Sequence, residues 1–180
     1  VRRIMFDEDK KLYYHGYDSS RTLFWADKST GLSKNFWLRS IGWFLVALCD
    51  VYSYMEGDEK GRERIASIFK ESIDGVLLYQ DKESKMFWQV PSFPNREGNY
   101  LETSGSSMIS YALLKGSRLG ILPSPYSEKG LDVFKGIVRE KMSEENGDLN
   151  LKGICLVAGL GPENNTRRDG SYEYYISEPI

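Results

Sequence analysis

The chain is poor in the residues that build metal and nucleophile chemistry. It holds one histidine and two cysteines among 180 residues. Cys49 and Cys155 stand far apart with no metal-ligand spacing around them, so the expectation is two buried free thiols rather than a disulfide or a metal site. No cofactor is implied. No apolar run approaches the ~18 residues of a membrane span, because residues 41–49 are interrupted by Gly42 and followed by Asp50. A formal charge of −2 gives no electrostatic case for nucleic acid or an anionic membrane. The start Val1-Arg2-Arg3 runs into Asp7, Glu8 and Asp9, which is not the pattern of a signal peptide, and the absent initiator Met suggests an excised piece.

What is present is aromatic. Trp, Tyr and Phe make up 13% of the chain, with 4 Trp and 12 Tyr. Their faces suit sugar rings and suit cores equally. Hydrophobic residues at 41% and charged residues at 28% are an ordinary globular balance, and the length allows one domain with a real core.

Residues 34–55 organise the rest. Ile41, Phe44, Leu45, Leu48, Tyr52 and Met55 recur at spacings of three and four, which predicts a helix with one buried face. Nearly every other side of it is apolar too, so it is expected to be buried almost all round. Arg39 and Trp43 are four apart and share a different face of the same helix. A guanidinium is costly to bury without partners. Two readings of Arg39 are therefore open: a structural arginine bonded to loop carbonyls, or a ligand contact.

Around this helix the pattern recurs. Residues 10–14 and 85–90 read as short strands after charged turns, with 148–151 and 153–157 strand-like in the third unit. Each is followed by a polar loop. Helices are predicted over 34–55, 59–79, 101–119 and from Ser127 to about 142, with Thr103 and Ser127 as candidate N-caps. A further buried helix is due from Arg168 onward, and the chain stops at Glu178-Pro179-Ile180 where that helix would run. Tyr13, Phe87 and Leu149 mark the recurrence, 74 and 62 residues apart. A unit with one buried and one amphipathic helix predicts an α/α toroid, with the loops before the inner helices gathered at one end. Two pairs and the start of a third cannot close a ring. The chain is thus expected to be one partial domain over residues 1–180, completed by more chain or by self-association through its exposed inner helices.

Six motifs then occur in order: H-G-Y-D at 15–18, W-A-D at 25–27, F-W-L-R-S-I-G-W at 36–43, W-Q-V at 88–90, Y-L-E-T-S-G-S-S at 100–107 and R-D-G-S-Y-E-Y-Y at 168–175. Together they resemble the unsaturated glucuronyl and rhamnogalacturonyl hydrolases of glycoside hydrolase families 88 and 105, more the latter. The resemblance implies an all-α (α/α)6 toroid of the six-hairpin type, of which this chain is about the C-terminal half. It implies a hydrolase that removes a 4,5-unsaturated uronic acid from the end of an oligosaccharide left by a polysaccharide lyase, as in pectin degradation. An Asp protonates the vinyl ether, water adds at the neighbouring carbon and the hemiketal opens; no cofactor is used. That Asp is expected upstream of Val1, so none of the present residues is assigned as catalytic.

The resemblance further implies that His15, Trp37, Arg39 and Trp43 bind substrate, and that the protein is cytoplasmic. Trp88, Glu102, Thr103 and Ser104 are weaker candidates, and Asp18 and Asp27 read as turn carboxylates. Two other readings compete. One is a non-catalytic carbohydrate-binding module on the same scaffold. The other is an unrelated toroid such as a terpenoid-cyclase-like fold, which would need acidic metal clusters that the sequence does not display.

Overall fold

A computed structural model describes residues 1–177. The expected continuation through Glu178, Pro179 and Ile180 lies outside the described residues. The chain is mostly helical with few short strands. A single turn, α1 (Arg2–Met5), leads into a two-stranded antiparallel hairpin of β1 (Phe6–Asp7) and β2 (Leu12–Tyr13), with Phe6 opposite Tyr13. Asp7 closes this hairpin by accepting the backbone N–H groups of Asp9 and Lys10 at 3.0 and 2.8 Å. Four long helices follow: α2 (Leu38–Tyr54), α3 (Glu59–Leu77), α4 (Thr103–Arg118) and α5 (Pro125–Lys141). A second hairpin, β3 (Met142–Glu145) with β4 (Asp148–Leu151), and the short α6 (Tyr172–Ser177) complete it.

Hydrophobic spacing explains the layering. Leu38, Ile41, Leu45 and Cys49 form the buried edge of α2, and Ile109, Ala112 and Leu113 that of α4. Phe69, Ile73 and Val76 from α3 and Val133 and Ile137 from α5 close over them, with Met86 and Phe87 between. Each fully buried side chain of this kind contributes about 1.5–3 kcal/mol.

The α2–α4 seam is tight because each helix offers the other a glycine. A Cβ at Gly42 would stand 2.9 Å from the Met108 Cβ, and one at Gly105 only 2.6 Å from the Leu38 Cγ. Asp50 on α2 adds a clasp across the seam, bonded to Lys115 Nζ at 2.6 Å and the Tyr111 hydroxyl at 3.0 Å.

The repeat is visible in a packing detail. Gly75 in α3 lies against the Lys11 carbonyl, in the turn before β2. Gly136 in α5 lies against the Ser84 carbonyl, in the turn before residues 85–90. Helices α3 and α5 thus each press a glycine onto the charged turn that opens their own unit, which is the same solution used twice.

Several expectations need correction. Helix α2 is not buried nearly all round: Trp43 is 58% and Tyr54 86% exposed, and Ala47 and Val51 continue the stripe between them. The hairpin, α3 and α4 cover its other sides, and nothing among the described residues covers this one. Phe44, Leu48, Tyr52 and Met55 are accordingly only half-buried.

Residues 85–90 form no strand. They make single bridges, Gln80 with Phe87 and Trp88 with Leu101, while the Phe87 N–H donates to the Ser106 hydroxyl at 3.0 Å. Residues 153–157 form none either: the Cys155 N–H donates to Glu102, and the Cys155 and Leu156 carbonyls accept from Arg39. The fourth long helix begins at Pro125, where the missing N–H of proline costs nothing, and not at Ser127. Thr103 is no N-cap; its hydroxyl donates to the Lys152 carbonyl at 2.6 Å, and Glu102 caps α4 instead.

Both cysteines are free and buried, as expected. Among the described residues no helix is long and apolar enough to cross a membrane.

Candidate functional site

The loops before α2, α4 and α6 converge at one end of the helices. The loop before α2 is stiffened by two carboxylates. Asp18 accepts the N–H groups of Ser20, Thr22 and Leu23 at 2.8–3.0 Å, and Asp27 those of Ser29 and Thr30 at 2.9 and 2.7 Å. Hydroxyl and backbone donors pull the Asp18 carboxyl down to about 2 and that of Asp27 lower still. Neither holds a proton at neutral pH, which agrees with their reading as turn residues.

Within this frame His15 meets Tyr175. The imidazole Nδ1 and the Tyr175 hydroxyl are 2.7 Å apart, and the ring tautomer sets which one donates. Burial lowers the pKa of His15 to about 4 and raises that of Tyr175. Both are therefore neutral near pH 7, and His15 brings no charge to a ligand.

The His15 ring also lies 4.7 Å from that of Trp37, and the Tyr175 ring stacks 6.3 Å away on Trp37. Trp37 is buried, with Nε1 donating to Gln89 Oε1 at 3.2 Å, while Gln89 Nε2 donates to the Tyr175 carbonyl at 3.2 Å. Trp37 is thus a supporting wall with little free face.

Arg39 occupies the next position along. Its carbon Cζ is 5.5 Å from the centre of the Trp37 ring. Nε donates to the Ser104 hydroxyl at 2.8 Å and Nη1 to the Leu156 carbonyl at 3.3 Å. Nη2 donates to Glu102 Oε1 at 3.5 Å and to the Cys155 carbonyl. Four of the five guanidinium N–H donors are engaged, and one on Nη1 has no partner among the described residues.

Arg39 and Trp43 line one cavity of about 420 Å³, together with Ser104, Met108, Ile154, Cys155 and Leu156. A charge and an exposed indole face therefore share one concave surface, as their spacing of four predicts. His15 opens instead on a smaller cavity of about 160 Å³ with Ser40, Ile41 and Phe44. Trp37 separates the two, so the structure brings Arg39 and Trp43 together directly and His15 through Trp37.

A profile of the family described as Glycosyl Hydrolase Family 88 matches residues 1–180. The chain belongs to this family. Its relatives include the 24.9 kDa protein in the picA locus of Rhizobium radiobacter, 34% identical over 174 residues, which are 94% of this chain and 74% of that protein. An unsaturated 3S-rhamnoglycuronyl hydrolase of Formosa agariphila is 28% identical over 122 residues, 61% of this chain and 32% of that one.

Among solved structures, a family 105 glycoside hydrolase of C. acetobutylicum superposes with a TM-score of 0.94 at 44% identity, over 99% of this chain and 49% of that chain. The unsaturated glucuronyl hydrolase of a Bacillus species, at 14% identity and a TM-score of 0.63, shares the fold. The chain spans about half the length of these solved structures.

In this family 88 chain, sequence reasoning left Gln89 and Tyr175 without a role at the site and took Glu102 only as a weaker substrate-binding candidate. Gln89 and Tyr175 support Trp37 and His15, and Glu102 joins three segments. Gln89 and Tyr175 sit inside the W-Q-V and R-D-G-S-Y-E-Y-Y motifs, which was the available signal.

Proposed function

We propose that this chain is part of an (α/α)6 toroid whose complete protein removes a 4,5-unsaturated uronic acid from lyase-generated oligosaccharides, rhamnogalacturonan fragments among them. The observation that carries this reading is the cavity in which the Arg39 guanidinium and the Trp43 ring face the same space. A planar cation suits a uronate carboxylate, and an indole face suits the flat side of a sugar ring. His15 and Trp37 complete the binding wall from behind, as neutral groups. The relative from Formosa agariphila, named for an unsaturated uronyl substrate, supports the same substrate class.

The reaction needs a proton donor. The loop carboxylates Asp18, Asp27 and Asp169 are all held below their ordinary pKa, Asp169 helped by Lys34 at 2.6 Å. In our reading the general acid is an Asp contributed by chain upstream of this segment. The same upstream part covers the rest of the exposed stripe, Ala47, Val51 and Tyr54, and closes the ring. In line with the family resemblance, we place the enzyme in the cytoplasm.

The test is absorbance of the substrate double bond. The complete protein should remove it from an unsaturated disaccharide, and a rigorously pure sample of these 180 residues alone should not. Steady turnover by the 180 residues would overturn the assignment of the acid and return attention to Asp18 and Asp27. No turnover by either, with a family 88 enzyme active on the same substrate, would favour a binding module.

A further inference from the structure

Glu102 is completely buried and sits where three separate segments meet. Its Oε1 accepts the Ser104 hydroxyl at 2.8 Å and the N–H groups of Ser104 and Cys155 at 3.2 and 3.1 Å. Its Oε2 accepts the Gly105 N–H at 2.6 Å. The Arg39 guanidinium stands 3.5 Å from Oε1. One side chain therefore caps α4, holds the strand-less loop at Cys155 and faces the cation of α2. The loop in turn places the Cys155 and Leu156 carbonyls on the same guanidinium. Ser104 repeats the theme, accepting from Arg39 Nε while donating to Glu102.

A helix cap alone does not require this arrangement. Aspartate, asparagine and serine cap as well or better with a shorter side chain, and a buried carboxylate is costly unless fully bonded. The extra length of glutamate lets the cap reach the Cys155 N–H and Arg39 at the same time.

We infer that Glu102 is a positioning residue for the substrate carboxylate: it fixes the guanidinium of Arg39, directly and through Ser104 and the 155–156 loop, so that its free N–H points into the cavity shared with Trp43. This rests on the reading of Arg39 as the uronate contact. Glu102 itself touches no substrate, and its part is to hold the donor still.

Glu102→Asp separates the two roles, because aspartate keeps the cap but cannot span to Cys155 and Arg39. In the complete enzyme the variant should retain its helix content and a cooperative unfolding transition, with Tm lowered because the Cys155 N–H and the Arg39 guanidinium lose a buried partner. Its KM for the unsaturated disaccharide should rise about tenfold with kcat kept, since binding that is equal in ground and transition states is what is lost. The thiol of Cys155, buried while its loop is held, should label with a thiol reagent about tenfold faster as the loop opens, read by peptide mapping against Cys49.

An unchanged KM together with unchanged Cys155 labelling would overturn the inference, leaving Glu102 as a cap only. Faster labelling with an unchanged KM would also overturn it, because the loop would then not set the site. Arg39→Ala, run in parallel, distinguishes the other failure. If that variant too leaves KM unchanged, the uronate reading has failed, and the role assigned to Glu102 falls with it.

Discussion

Arg39→Ala in the complete enzyme is expected to weaken productive binding of an unsaturated substrate by about 10- to 150-fold, the equivalent of one charge-assisted contact worth about 1.5–3 kcal/mol. It is the one residue among His15, Trp37, Arg39 and Trp43 that carries a charge near pH 7, because burial keeps His15 neutral. Arg39→Lys should fall short as well. An ammonium cannot serve Ser104, Glu102, two carbonyls and a ligand from the same place. Since the guanidinium also ties α2 to α4 and to the 155–156 loop, Arg39→Ala should lower Tm too. The decisive comparison is between the two readouts. Lost affinity with modest loss of stability supports a ligand role. Normal kinetics with a lowered Tm would make Arg39 a structural clamp on loop carbonyls.

The second large effect concerns stability and sits far from the cavity. Gly136→Ala, and Gly75→Ala likewise, should destabilise the fold although alanine is the better helix former. The gain in helix propensity is about 1 kcal/mol. Against it stands a methyl group driven into a backbone carbonyl, that of Ser84 or Lys11, which cannot rotate away. Overpacking costs about 1–3 kcal/mol, more when the opposing atom is rigid. We expect a net loss of about 2 kcal/mol, or a Tm lower by about 4–8 °C, for either variant. Gly159→Ala is the control, because a Cβ there meets nothing within 4 Å. Thermal unfolding followed by circular dichroism reads all three. A stabilised Gly136→Ala would mean that α3 and α5 do not rest on the turns of their own units.

Those two glycines show what was legible and what was not. The recurrence of turn, polar loop and helix pair could be read in the sequence, and so could the pairing of Arg39 with Trp43, because both depend on short spacings. The Asp18 and Asp27 turns were readable for the same reason: the donors they bind lie within five residues. Residues 85–90 are rich in apolar and aromatic residues after a charged turn, as a short strand would be, but a ladder needs a partner backbone in register, and only single bridges form there. The part played by Glu102 was hidden because its contacts to Arg39 and Cys155 span 63 and 53 positions of sequence. That an inner helix would leave a flank exposed followed from the repeat count, but that Trp43 lies on that flank did not, because apolar periodicity reports which faces are apolar. It does not report which neighbours cover them.

Under the proposed function the site of the complete enzyme binds an unsaturated uronic acid for hydration of its double bond, not for ordinary acetal cleavage. The most direct measurement is to run the complete enzyme on an unsaturated disaccharide in deuterium oxide and follow the products by NMR. The vinyl proton signal is expected to vanish as the glycosidic bond opens, with deuterium on the carbon that carried that proton and a keto product from the opened hemiketal. Release of a free sugar that still carries its double bond would contradict it.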